Sequence, residues 1–329
     1  MKIIFSFFTV VLLVLLAFLG LKIANLYYLF GVIIPYAAVA IFITGFIYRV
    51  MKWASSPVPF RIPTTCGQQK SFPWIKQNKI ENPSSTGGVI IRMLFEVLAF
   101  RSLFRNTKTE SRDGKLSYGS DKWLWMAGLA FHWSFLVILI RHFRFFAADV
   151  PSVIHLIESL DSFLQIGVPL LYMTDVVLVA AVTFLFIRRV VIPQVNYISL
   201  IADYIPLFLI LGIAISGILM RYLFKVHLVG VKNFAIGLIN FNPVIPEGVG
   251  VIFYIHLFLI SSLFAYFPFS KLMHAGGVFL SPTRNLANNS RMKRHVNPWD
   301  YPVKVHTYEE YEDDFREKMK NVGIPVEKE

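Results

Sequence analysis

Six long apolar blocks, separated by polar connections of very unequal length, set the pattern of this chain. They cover residues 3–21, 27–48, 124–146, 166–187, 204–223 and 249–267. Each approaches or exceeds the roughly 18 apolar residues that cross about 30 Å of hydrocarbon as a helix. The pattern predicts an all-α integral membrane protein with about six transmembrane helices. Pro35, Pro169, Pro206 and Pro268 fall in or near these blocks, which spans tolerate where neighbouring groups satisfy the freed carbonyls. The first block follows Lys2 directly and runs into Lys22-Ile23-Ala24-Asn25. It is longer than a cleavable signal core and lacks a small-residue exit, so it reads as an uncleaved signal anchor.

The polar connections orient the blocks. The long one after the second block carries thirteen Lys and Arg between Arg49 and Lys122, which places it inside. The connection over 147–165 has Asp149, Glu158 and Asp161 and no Lys or Arg, so it is outside. Arg188-Arg189 and the basic tail after Ser270 return to the inside, against a minority of outer positives at Arg141, Arg144, Lys225 and Lys232. The expectation is a multi-pass protein of the cytoplasmic (inner) membrane with both termini cytoplasmic. It divides into two N-terminal spans (1–50), a cytoplasmic loop (51–122), a four-helix transmembrane region (123–275) and a cytoplasmic tail (276–329).

Within the inner loop, residues 57–83 are Pro-rich and irregular. From Gly88 onward Val89, Ile90, Met93, Leu94, Val97 and Leu98 alternate at helical period with Arg92, Glu96 and Arg101. This amphipathic helix needs a cover: the membrane interface or a partner, or the chain's own bundle. In the tail, Thr307 and Glu310 form a capping-box pattern before Tyr308, Tyr311, Phe315 and Met319. That face suits docking to a cytoplasmic subunit, or a solvated helix.

Composition sharpens the class. The chain is 56% hydrophobic and 16% charged, with 31 Phe, a balance few soluble domains show. Its 32 Lys and Arg against 20 Asp and Glu give +12, but the excess lies beside spans, which argues against a nucleic-acid partner. The single cysteine, Cys66, allows no internal disulfide, CxxCH haem attachment or iron–sulfur ligand set. Any iron–sulfur relay belongs to a partner chain.

Ionisable residues inside spans mark sites. His132 and His142 sit in the third block, and His256 and His274 in or just beyond the sixth. A separation of eighteen residues is a whole number of helical turns and one of ten leaves about 80°, so each pair shares a face. Antiparallel spans then bring His132 to His274 near the inner side and His142 to His256 near the outer side. Two imidazoles facing each other twice across a bundle are the ligand set of two haems b. Along continuous helices the two pairs are about 15 Å and about 27 Å apart, a mismatch that a bend near Pro268 has to absorb. Arg141 and Arg144 at the outer end and Lys271 at the inner end are candidates for pairing with haem propionates, with snorkelling to the interface as the alternative. His155, His227, His295 and His306 lie in loops or tail and are poor ligand candidates.

Two haems stacked across a membrane form an electron wire, and the lipid-soluble donor to such a wire is a quinol. Quinol oxidation needs apolar walls and a proton acceptor; His155, Glu158 and the intramembrane Asp175 are the candidates. Asp175 has the best claim on cost grounds, with a bond to a neighbouring helix or a part in holding a haem as its alternatives. A haem-free transporter or structural anchor is the reading from a different class, but the halves show no internal repeat.

The histidine spacings resemble those of the cytochrome b (gamma) subunit of respiratory nitrate reductase, over roughly residues 124–274. Two features depart from it: an additional first span and a far longer inner loop. That loop, with Arg61-Ile62-Pro63-Thr64-Thr65-Cys66-Gly67-Gln68-Gln69-Lys70-Ser71 and Arg101-Ser102-Leu103-Phe104-Arg105-Asn106-Thr107, resembles the membrane cytochrome b of the dissimilatory sulfite reductase-linked, heterodisulfide reductase-like menaquinol-oxidising complexes. This resemblance is nearly full length. It implies menaquinol as donor and a cytoplasmic iron–sulfur subunit of heterodisulfide reductase type as acceptor. It also implies periplasmic haem-c and ferredoxin-like subunits, a second membrane subunit, and sulfate or sulfite respiration. A gamma-type anchor of a nitrate reductase or another cytoplasmic reductase is the alternative within the same chemistry.

Overall fold

The computed structural model describes residues 1–56, 67–164, 166–292 and 305–328, without the side chains of Glu110 and Arg112. The stretch 61–66 with Cys66, and His295, lie outside the described residues. The apolar blocks become helices. They are α1 (Lys2–Lys22) and α2 (Ile34–Ala54, entered through a π-helical turn Leu29–Ile33), then, beyond the inner loop, α3 (Thr86–Ala99) and α4 (Arg101–Phe104). A hairpin of β1 (Thr107–Arg112) and β2 (Lys115–Ser120) precedes α5 (Lys122–His142), α6 (Ser152–Asp161) and α7 (Met173–Val191). Next come α8 (Pro193–Ile198), α9 (Ile201–Ile218, extended by a π turn Leu219–Leu223), α10 (Leu228–Ile239) and α11 (Val251–Tyr266). The chain closes with α12 (His274–Leu280), α13 (Pro282–Asn285) and α14 (Tyr308–Asn321).

Five of these helical stretches are long and apolar enough to cross a membrane: Lys2–Lys22, Leu29–Ala54, Lys122–Phe145, Ile201–Leu223 and Val251–Phe269. The expected fourth span begins later than the apolar pattern suggested. Residues 166–172 are irregular around a cis Val168–Pro169 bond, and α7 is a 19-residue helix bearing Asp175, Arg188 and Arg189 at its ends. It packs along α5 and α9 within the bundle, α1 lies on α9 and α11, and α2 lies on α11. Two apolar cores result, one around Phe30, Phe234 and Tyr254 and one around Val182, Leu209 and Leu259.

Side-chain bonds sort the helix ends into two sets. Lys2 Nζ donates to the Asn196 and Ser199 carbonyls, Arg188 pairs with Asp121 and Lys271 with Asp203; these hold together the end carrying the amino terminus. At the opposite end Arg141 pairs with Asp175, Tyr36 Oη donates to the Leu238 carbonyl and Lys232 Nζ to the Ala148 carbonyl. Helices α5 and α11 are therefore antiparallel, as the loop charges required.

Four features went beyond the apolar pattern. Asp113 and Gly114, both at positive φ, turn β1 into β2 in the two-residue hairpin that Asp-Gly favours. Helix α10 buries Val231, Phe234 and Ala235 in what read as a loop. The sixth span stops at Tyr266: Phe267–Phe269 and Lys271–Met273 are 3-10 turns separated by extended Ser270. His274 thus opens a separate short helix instead of continuing α11. Pro268 lacks the N–H that would carry the helix on, and the break removes the need for a 27 Å helical rise.

Finally, α3 turns its polar residues inward. Arg92 and Glu96 are buried while Ile90, Leu94 and Leu98 are exposed. Glu96 accepts from Ser102 and pairs with Arg284, and Trp133 Nε1 and Trp125 Nε1 donate to the Leu98 and Ala99 carbonyls. The inner loop is also tied to the tail: Asn288 donates to the Pro83 carbonyl from its N–H and to Asn82 Oδ1 from its side chain. Glu81 pairs with Arg101 and Arg105. Burial pushes the Glu81 carboxyl up, but the hydrogen bonds and charges of Arg105 and Arg101 outweigh it and hold it below the ordinary carboxylate value. In the tail, Thr307 and Glu310 form the expected capping box. Met319 is buried, whereas Tyr308, Tyr311 and Phe315 stay exposed.

Candidate functional site: two facing imidazole pairs

The bundle brings the four histidines together as two pairs. The His132 and His274 rings lie 6.0 Å apart, centre to centre, with planes at 85°. The His142 and His256 rings lie 6.5 Å apart at 19°. With a metal–nitrogen bond of about 2.0 Å and a nitrogen about 1.2 Å from its ring centre, imidazoles on opposite sides of one metal ion sit about 6.4 Å apart. Both spacings fit that arrangement.

The other ring nitrogens decide which atoms are available. His132 Nδ1 lies 2.7 Å from the Gly128 carbonyl, His142 Nδ1 2.7 Å from Ile138 and His274 Nδ1 2.8 Å from Lys271. A carbonyl only accepts, so each of these Nδ1 atoms carries the hydrogen. His256 Nδ1 meets Ser216 Oγ at 2.8 Å. That hydroxyl donates its one hydrogen to the Ile213 carbonyl, so it too accepts from the ring. All four imidazoles are thus held with Nδ1–H engaged and the Nε2 lone pair free, the second-shell arrangement that fixes metal-bound histidines. Space is kept beside the ring of His256: a Cβ at Gly217 would stand 3.3 Å from its Cε1. The residues fit an iron-centred planar group gripped by two imidazoles at each site.

The charged candidates at the His142 end form two closed clusters. Arg141 is buried; its Nη2 donates to Asp175 Oδ1 at 2.7 Å and Thr174 Oγ1 at 3.2 Å, and its Nε is 3.0 Å from Asp161 Oδ2. Asp161 accepts from the Thr174 backbone and hydroxyl. Asp175 Oδ2 accepts from Tyr222 Oη. The Tyr172 ring is sandwiched between the Arg141 and Arg221 guanidiniums, 3.7 and 3.9 Å from its centre. In the second cluster Arg144 donates to Glu158 Oε1 at 2.6 Å, and His155 Nδ1 stands 3.5 Å from Glu158 Oε2. Beside it an apolar depression of about 400 Å³, open to the surface, is lined by Ile140, Phe143, Phe146, Pro151 and Ile154.

The charges of Arg141, Arg144 and Lys271 are therefore met by Asp161 and Asp175, Glu158, and Asp203 respectively. Asp161, Tyr172, Ser216, Arg221 and Tyr222 belong to the site without having stood out in the sequence. Each is brought in by a partner 13 to 51 residues away.

Comparison with known proteins identifies the family. Residues 89–295 match the family model described as "Nitrate reductase gamma subunit". A relative from Archaeoglobus fulgidus, named Hdr-like menaquinol oxidoreductase cytochrome b-like subunit, is 46% identical over 279 residues, 83% of either chain. One of the same name from Archaeoglobus profundus is 44% identical over 274 residues, 81% of either chain. A membrane cytochrome b role in electron transfer, as a component of an oxidoreductase complex, follows from these likenesses and from the helical bundle. The chain belongs to the nitrate reductase gamma subunit family, alongside the Hdr-like menaquinol oxidoreductase cytochrome b-like subunits.

Proposed function

We propose that this chain carries electrons across the inner membrane from menaquinol to a cytoplasmic acceptor through two haems b, one between His132 and His274 and one between His142 and His256. The observation that carries the reading is the paired imidazoles at 6.0 and 6.5 Å with every Nδ1 engaged and every Nε2 free. When bound, each haem iron supplies a one-electron carrier. The protein's part is to hold the rings, fix their tautomers and exclude water. Ten residues on one continuous helix separate His132 from His142 by about 15 Å, which spaces the two sites along the membrane normal. The reading takes six passes, with α7 as the sixth, and both termini on the cytoplasmic side.

Menaquinol is oxidised near the outer pair, in the depression beside Phe143 and Ile154. His155 and Glu158 lie on α6 next to that depression, and His155 is largely solvent-facing, so this pair receives the protons. Asp175, with both oxygens bonded, takes part by fixing Arg141 beside His142. The acceptor is a cytoplasmic iron–sulfur subunit of heterodisulfide reductase type, with periplasmic haem-c and ferredoxin-like subunits and a second membrane subunit completing a complex for sulfate or sulfite respiration. The name the two relatives share and the single cysteine, which leaves any iron–sulfur relay to another chain, support this assignment.

The test is reduction of the haems by a menaquinol analogue in nanodiscs. Glu158→Gln and His155→Ala should slow reduction by roughly 100- to 10,000-fold while dithionite still reduces both centres. Undiminished quinol rates in both variants would remove the outer proton-accepting pair from the proposal.

A further inference from the structure

Building on the two-haem reading, we propose that Arg221 is the residue that receives the carboxylate edge of the group held between His142 and His256. Three arginines stand at this end of the bundle. Arg141 is met by Asp161, Asp175 and Thr174, and Arg144 by Glu158. Arg221 has no carboxylate partner among the described residues. It donates from Nη2 to the Leu170 carbonyl at 3.0 Å and rests on the Tyr172 ring, while its Nε is buried with no acceptor. A guanidinium N–H buried without an acceptor is costly, and an ionised acceptor is the group that suits it.

Its position suits the assignment. Gly217 lies close against His256, where a Cβ would stand 3.3 Å from Cε1, and Arg221 follows four residues later, one turn further toward the outer end. The intervening Leu219–Leu223 turn is π-helical, a local widening common at functional sites. Across the Tyr172 ring stands Arg141, the chain neighbour of His142. The other groups facing this corner, Asp161, Asp175 and Tyr222, already bond to Arg141, Thr174 or one another. Among the described residues Arg221 is the arginine at this end left without a carboxylate, and a haem brings two propionates.

Full-length protein in nanodiscs, depleted of cofactor and refilled with haem b or with its propionate dimethyl ester, tests this directly. The outer centre is the one lost in His142→Ala. Wild type should prefer haem b over the ester there by roughly ten- to hundredfold, the worth of a charge-assisted hydrogen bond. Arg221→Gln should erase the preference and Arg221→Lys should keep most of it. If Arg221→Gln fails to fold, the wild-type and Arg221→Lys preferences still decide. Equal uptake of haem and ester by wild type, or a full preference retained in Arg221→Gln, overturns the proposal. Binding of neither compound by folded wild type would instead defeat the haem reading on which it rests.

Discussion

Ser216→Ala isolates one of the four imidazoles on which the proposed two-haem reading rests. Ser216 Oγ accepts from His256 Nδ1 at 2.8 Å and donates to the Ile213 carbonyl at 2.9 Å. Of the four imidazoles, His256 is the one whose Nδ1 meets a side-chain hydroxyl, so that anchor can be deleted without touching the backbone. Alanine removes the hydroxyl that accepts from the buried Nδ1–H, at a cost of about 1–3 kcal/mol. The ring is then free to turn or to exchange tautomers, and loss of such a second-shell partner typically weakens a metal site about 10- to 100-fold. Haem transfer from nanodisc-held protein to an apoglobin measures this, with the two centres followed separately in the difference spectrum. The outer centre should lose haem roughly 10- to 100-fold faster and the inner one at the wild-type rate. Wild-type retention at both centres, or equal loss from both, would refute the role given to Ser216 and weaken the tautomer argument with it.

Two further outcomes follow from the charge clusters. Arg141→Met takes the guanidinium from the buried Asp161 and the partly buried Asp175 and should destabilise the fold by about 3–5 kcal/mol in detergent titrations; adding Asp175→Asn should recover part of the loss, and additivity of the two changes would contradict the pairing. For Glu81, the folded-state carboxyl lies below its unfolded value, so its contribution is fully present above pH of about 4.3 and is lost as pH falls through the lowered value. Near-ultraviolet circular dichroism should show the inner loop loosening below that pH in wild type and much less pH dependence in Glu81→Gln.

Much of this was legible because intramembrane helices and intramembrane histidines carry strong signals. The five long apolar helices, the amphipathic α3 and the capped α14 follow from period, charge and capping pattern, and the antiparallel pairing of His132 with His274 and His142 with His256 follows from loop charges. The β1–β2 hairpin was readable too, since Asp113-Gly114 is a turn signal, but its polar strands have no apolar alternation to announce them. The break before His274 was only half readable: Pro268 marks it, yet where the chain resumes depends on packing against α2, where a Cβ at Gly45 would stand 2.8 Å from Pro268. The internal pairing of Arg141, Arg144 and Lys271 was not readable. A span-end arginine looks the same in sequence whether it meets a propionate, lipid or a carboxylate, and Asp161 reads as one more acidic residue of an outer loop.

The most direct test of the two-haem account is extraction and quantification of non-covalent haem from the folded, full-length chain, with a reduced-minus-oxidised spectrum of wild type, His132→Ala and His142→Ala. The account predicts about two haems b per chain, with a different one lost in each variant. No b-type absorbance in folded protein, or a single haem abolished by both substitutions, would contradict it.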